Sequence, residues 1–171
     1  AAVLETARGG ILRRGLGYDW ADVGVITNVT VDHVGQDGIR DVEDLVWIKS
    51  LVAERVRDGG TLVLNADDPE SAGIADLKRV DAARLRVVYF SAAGDADRYR
   101  RHLGEGGTGY RVRDGAIVEE HGDARRTVAR VGDVPLLATG ARFQLENCLA
   151  AVAAALAMGC DAAAVERGLA T

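Results

Sequence analysis

The run from Val23 to Val29, VGVITNV, constrains this chain more than any other stretch. It is a nearly continuous series of apolar and β-branched residues, the pattern of a strand buried on both faces. A strand of that kind needs a layer above and a layer below. The residues that follow supply one: DVEDLVWIKSLVAERV reads as a helix over 41–57. Asp41 is its expected N-cap, with acidic Glu43 and Asp44 in the first turn. Val42, Leu45, Val46, Val52, Ala53 and Val56 form its apolar stripe, and Lys49 falls in the middle of that stripe. Between strand and helix lies an irregular loop that carries Asn28, Asp32 and His33. In parallel α/β sheets, ligands bind in the crevice beyond the carboxyl ends of the strands. The stretch therefore sets polar groups where such sheets do their chemistry.

The rest of the chain repeats the pattern. Residues 1–5 read as the end of a buried strand closing on Glu5, followed by a turn at Thr6 to Gly10 and a short helix from Ile11 to Leu16. Thr61 to Leu64 and Leu85 to Phe90 read as further strands. Between them, Asp68 and Pro69 announce a helix running to about Val80. Alternating strands and helices with short links predict an α/β fold with a doubly wound, mostly parallel sheet. A small antiparallel annex is expected within residues 104–138. Its hairpin turns at Asp114-Gly115, and further short strands lie at Arg125–Val131 and Val134–Leu137. No chemistry is expected in it, and His102 and His121 read as surface residues. The end is helical: Phe143 to Met158, then Ala162 to Leu169 capped by Asp161.

Composition narrows the function classes. The 171 residues are 48% apolar and carry a net charge of −5. That balance argues against nucleic acid or an anionic membrane as a general partner. No apolar run approaches the roughly 18–20 residues of a membrane span, no secretory leader is read, and a cytoplasmic home is the default. Two cysteines are too few for a disulfide framework, and Cys148 reads as a small buried residue in an Ala-rich helix. The chain opens and closes inside patterned segments, AAVLET and RGLAT, and is expected to be a piece of a longer protein.

Three groups of residues can carry chemistry. Glu5, His33 and Lys49 form the first. A carboxylate suits Mg²⁺, and a neutral lysine can take up CO₂ to give a carbamate, another oxygen ligand. Burial favours that neutral form. The alternative is a lysine whose stem lies along the stripe while its head reaches solvent. Arg8 with Gly9-Gly10 is the second, able to hold phosphate or carboxylate or simply to turn the chain. Asn65, Asp67 and Asp68 are the third, suited to orient a ribose or phosphate and equally to cap a helix. No G-x-x-x-x-G-K-[ST] phosphate loop occurs in the sequence, so a phosphate cradle for ATP is expected upstream of residue 1.

The stretches ETARGGILRRGLG (5–17), DVGVITNVTVDH (22–33), GGTLVLNADDP (59–69), VVYFS (87–91) and RFQLENCLAAVAAALAMG (142–159) resemble the central ATPase domain of the Mur ligase superfamily. Within it, they are most similar to the cyanophycin synthetase branch. The first stretch is the most specific, because Mur ligases proper carry a serine-rich stretch after the glutamate.

The resemblance implies that residues 1–171 are a fragment of such a domain. It also implies ATP and Mg²⁺ as cofactors, and an enzyme that activates a carboxylate as an acyl phosphate which an amine then attacks. On this resemblance Glu5, His33 and a modified Lys49 are metal ligands. Arg8 and Lys49 are catalytic. Asn28, Asn65, Asp67, Gln144 and Asn147 bind the nucleotide. The family usually has Asn where this chain has Gln144, and many members have His where it has Phe143. The implied substrates are arginine and an aspartate/arginine polymer, with the full-length protein a homo-oligomer. Two other readings stay open: a Mur ligase acting on a nucleotide-linked peptidoglycan precursor, and a non-catalytic module of the same fold.

Overall fold

The computed structural model describes residues 2–30 and 38–171. In chain order the elements are α1 (Arg8–Arg14), β1 (Ala21–Ile26), α2 (Val42–Glu54), β2 (Val56–Asn65), α3 (Pro69–Gly73), β3 (Arg86–Ser91), α4 (Asp97–Gly104), β4 (Thr108–Arg113), β5 (Ala116–His121), β6 (Ala124–Arg130), α5 (Arg142–Ala157) and α6 (Ala162–Leu169). Among the described residues the strands form one sheet, ordered β1-β2-β3-β4-β5-β6. β1, β2, β3 and β4 run parallel, and β5 and β6 follow antiparallel. The α/β, mostly parallel class expected from the alternation is the one observed. β4 joins β3 directly, so the antiparallel strands extend the main sheet.

Helices cover both faces. β2 is buried at every residue from Gly60 to Asn65, as a central strand must be. Leu62 and Leu64 point to the side of α1, α2, α3 and α4, where they share one core with Ile11, Leu45, Ile48, Ile74 and Tyr99. Val63, Val88 and Phe90 point the other way, onto Leu149, Val152 and Ala153 of α5 and Val165 of α6. The two periods, 2 along the strands and 3.6 along the helices, set these contacts. Gly60 and Gly109 are among the glycines that close approach requires. A Cβ on Gly60 would lie 2.8 Å from the Asp22 and Arg57 carbonyl oxygens, at the bulge that joins β2 to β1. A Cβ on Gly109 would lie 2.6 Å from the Tyr99 ring. Asp114 and Gly115 both have positive φ, which a two-residue turn matched to the strand twist demands.

Several local expectations are corrected. Residues 2–5 form no strand: Val3 is 98% exposed and Leu4 62%. An apolar run becomes a buried strand only where a neighbour completes its ladder, and no described strand pairs with it. The first helix starts at Arg8, not Ile11, and stops at Gly15, whose positive φ ends it. The helix begun by Asp68 and Pro69 lasts only to Gly73 and tightens into a 3₁₀ turn at Ile74–Asp76. Glycine's poor helix propensity is the local cause. Val134–Leu137 is no strand but part of two successive 3₁₀ turns, the second opened by Pro135, which has no N–H for a ladder. His102 is also not a surface residue. It is half-buried, its ring edge-on to Tyr89 at 4.9 Å and pressed against Gly107. No described helix is long and apolar enough to cross a membrane.

Two predictions follow from this packing. Leu149 is fully buried between α5 and the sheet, so Leu149→Ala should cost about 2–5 kcal/mol in urea unfolding. The same truncation at the exposed Leu136 should change stability by less than about 0.5 kcal/mol. The second concerns pH. Burial pushes the His102 imidazole below its ordinary value of 6.5. As pH falls through 6.5 the unfolded chain takes up a proton that the folded chain resists, so stability drops there and levels off below the folded value. Unfolding curves at pH 7.5 and 5.5 should show a smaller loss in His102→Phe than in the parent.

Candidate functional site

The carboxyl ends of β1, β2 and β3 converge in register, Ile26 beside Leu64 and Asn65 beside Phe90. The segments that leave them are stitched together by short polar side chains. Asn65, buried at the end of β2, donates from Nδ2 to the Thr27 carbonyl at 2.9 Å. Its Oδ1 accepts from the Asp67 amide at 2.9 Å. Ser71 donates to the Ile26 carbonyl at 3.0 Å and accepts from the Asn65 amide. Asp68 caps α3 through the Glu70 and Ser71 amides and also accepts from the Val29 amide. A cap therefore serves a second purpose, holding the loop after β1 against the start of α3.

Asp67 is the centre of this edge. Its side chain is 4% exposed. One carboxylate oxygen accepts from Ser91 Oγ at 2.5 Å, the other from the Ala93 amide at 2.8 Å and from Arg142 Nη2 at 3.1 Å. Ser91 in turn accepts from the Gly94 amide at 2.7 Å. Arg142 opens α5 and is also held by Glu146 at 2.9 Å, one turn on. So one carboxylate joins the β2 end, the β3 end and the start of α5, and it aims a guanidinium that stays 61% exposed.

Lys49 reaches the same edge from α2. Its Nζ donates to the Asn28 carbonyl at 2.5 Å, so its head sits beside the loop that follows β1 and its stem lies in the apolar stripe. The structure thus brings Asn28, Lys49, Asn65 and Asp67 together. Gln144, half-buried, and Asn147, exposed, lie in the first two turns of α5, next to Arg142. Glu5 stands apart in the irregular segment before α1 and is exposed. Arg8 is the first residue of α1, with Gly9 and Gly10 inside that helix instead of in a separate cradle. His33 and Asp32 lie outside the described residues.

Among the described residues no three His, Cys, Asp or Glu side chains are grouped to hold a metal ion. The oxygens of Asp67 and Asp68 are already taken by amides, a hydroxyl and a guanidinium. The described part of the edge does not by itself fit a Mg²⁺ site. It does offer two cationic heads, Lys49 and Arg142, and two carboxamides, Gln144 and Asn147. Those groups suit anionic oxygens and the hydrogen-bonding edge of a base.

Two residues escaped the sequence reading. Arg142 had a readable signal: a guanidinium in the first turn of a helix opposes the macrodipole, and α5 has no acidic residue in that turn to offset it. Its partner had to come from elsewhere. Ser91 gave no signal, because a serine at a strand end is an ordinary turn residue.

Comparison with known proteins gives these features a context. Residues 1–155 match the model of the Mur ligase middle domain. The chain is 39% identical, over 99% of its length, to cyanophycin synthetases from Trichormus variabilis and from a Synechocystis strain. It spans only 18% and 19% of those proteins. It is 31% identical, over 86% of its length, to UDP-N-acetylmuramoylalanine–D-glutamate ligase of Bradyrhizobium diazoefficiens, and covers 28% of that enzyme. Among solved structures, the UDP-N-acetylmuramoylalanyl-D-glutamyl-2,6-diaminopimelate–D-alanyl-D-alanyl ligase of Acinetobacter baumannii has the same fold. The TM-score is 0.56 at 18% identity, covering 88% of this chain and 29% of that one. The chain belongs to the Mur ligase middle domain family.

Proposed function

We propose that this chain is part of an ATP-dependent amide-bond ligase of cyanophycin synthetase type, which attaches arginine to the β-carboxylate of a poly-aspartate backbone through an acyl phosphate. The observation that carries the reading is the 39% identity to cyanophycin synthetases over 99% of the chain, against 31% over 86% to a Mur ligase. The segment after Glu5, TARGGILRRGLG, points the same way.

ATP supplies the phosphoryl group that activates the carboxylate. The chain's own residues do the binding and orienting. Asn65, Asp68 and Ser71 fix the loops after β1 and β2, so that the edge is set before substrate arrives. Asp67 and Glu146 hold Arg142 in one direction, toward the start of α5. There Gln144 and Asn147 take the base, and Arg142 meets negatively charged oxygens. Lys49 holds the Asn28 carbonyl and with it the loop that leads to His33. In this reading Glu5 and His33 are proposed metal ligands and Arg8 an anchor for the acidic polymer or the acyl phosphate. The implied setting is a cytoplasmic homo-oligomer.

The test uses the protein that carries this chain. With ATP, Mg²⁺, a poly-aspartate primer and labelled arginine, label should enter acid-insoluble polymer. Phosphate release on a UDP-linked peptidoglycan precursor, with no label incorporated, would contradict the reading. A sharper prediction concerns Arg142. Arg142→Ala should raise the KM for ATP roughly tenfold or more, the size of one lost charge-assisted contact. Because that side chain is largely exposed, the thermal midpoint should stay within a few degrees of the parent. Lys49→Ala should cut kcat strongly, because it releases the Asn28 carbonyl that Nζ holds and with it the chain after β1.

A further inference from the structure

A pocket lies away from the edge, between α4 and the face of β4, β5 and β6. It encloses about 700 Å³ and is lined by Arg100, Arg111, Arg113 and Arg125, with Glu120 and Asp123. We propose that this pocket is a subsite for the carboxylates of an acidic polymer. This deepens the ligase reading above and rests on it for the identity of the polymer.

The charge here is local. Residues 98–130 contain eight arginines, no lysine and five acidic residues, in a chain whose net charge is −5. Arginine in place of lysine suits planar, two-pronged recognition of carboxylates. The strand pleat then sorts the cations. Arg111 and Arg113 are two apart on β4, and Arg125 pairs with Glu120 in the register of β5 and β6, so all of them share the α4 face.

The floor of the pocket is fixed and neutralised. Buried Glu120 is ion-paired with Arg111 at 2.7 Å, and accepts from Arg111 Nη2 at 3.0 Å and from the Tyr99 hydroxyl at 3.1 Å. The rim is not. Arg113 and Arg125 each reach Asp114 only at 4.0 Å, and Asp114 is 86% exposed. Arg113 lies 3.5 Å from the already engaged Glu120. Such exposed pairs contribute little and exchange readily for a ligand's carboxylates.

Arg111, which lines the pocket, also links it to the edge. Arg111 sits beside Ser91 in the β3–β4 register, and its Nη1 donates to the Gly94 carbonyl at 2.7 Å. Gly94 donates to Ser91, and Ser91 to Asp67. An extended chain leaving the edge past β3 arrives at Arg113 and Arg125. A substrate that carries a carboxylate on every residue can occupy both places at once, and the second contact raises its effective concentration at the first.

The experiment measures binding of a short fluorescein-labelled poly-aspartate to the protein that carries this chain, by anisotropy at several salt concentrations. KM values for poly-aspartate and for ATP are measured alongside. The Arg113→Ala/Arg125→Ala variant should bind poly-aspartate roughly tenfold more weakly, with a flatter salt dependence. Its KM for poly-aspartate should rise and its KM for ATP should not. Arg126→Ala is the control, since Arg126 lies on the opposite face, paired with Glu119. Unchanged binding in the double variant, or an equal loss in the control, would overturn the proposal. So would a rise in the KM for ATP instead, which would make the pocket a phosphate site. If the parent protein incorporates no arginine, the ligase reading fails, but selective loss of poly-aspartate binding in the double variant still supports the pocket.

Discussion

A buried carboxylate holds the working edge of this sheet together. Asp67 accepts from Ser91, from the Ala93 amide and from Arg142. Those three partners belong to the end of β3, the segment beyond it and the start of α5. None of them is near Asp67 in sequence: Arg142 is 75 residues away. Hydrogen bonds to a charged group are worth about 1.5–3 kcal/mol each, less for the contact to the exposed guanidinium. Their larger consequence is geometric. They fix where α5 begins relative to the strand ends, and so where Arg142, Gln144 and Asn147 stand against Lys49 and Asn28.

The residues around that carboxylate explain why the edge can be rigid without regular structure. Asn65 spans from β2 to the chain after β1, and Ser71 reaches back to the last carbonyl of β1. Asp68 caps α3 with one oxygen and holds Val29 with the other. Loops at the ends of parallel strands leave backbone groups without ladder partners. Here short side chains satisfy them, and the same bonds that meet that need preorganise the site.

Much of this was legible in the sequence, for local reasons. Asp41, Asp68 with Pro69, and Asp161 announced helix starts, and the structure shows each as a cap. Asp114-Gly115 announced the hairpin. The apolar run before Asn28 announced a buried strand, which closes at Ile26. What could not be read depended on partners distant in the chain. Residues 2–5 look like a strand but have no described neighbour to pair with, and Pro135 turns an expected strand into a 3₁₀ turn. The role of Arg142 was hidden because an arginine does not name its carboxylate. No chemistry was expected of the antiparallel strands, yet the strand pleat gathers arginines of β4 and β6 over Glu120.

The proposed nucleotide site lies where α5 meets the carboxyl ends of β2 and β3. Amide hydrogen exchange on the protein that carries this chain, with and without ATP and Mg²⁺, tests it most directly. Exchange should slow at residues 141–147 and in the 91–94 segment, with little change along β5 and β6. Unchanged exchange in both of those segments, with protection confined elsewhere, would contradict it.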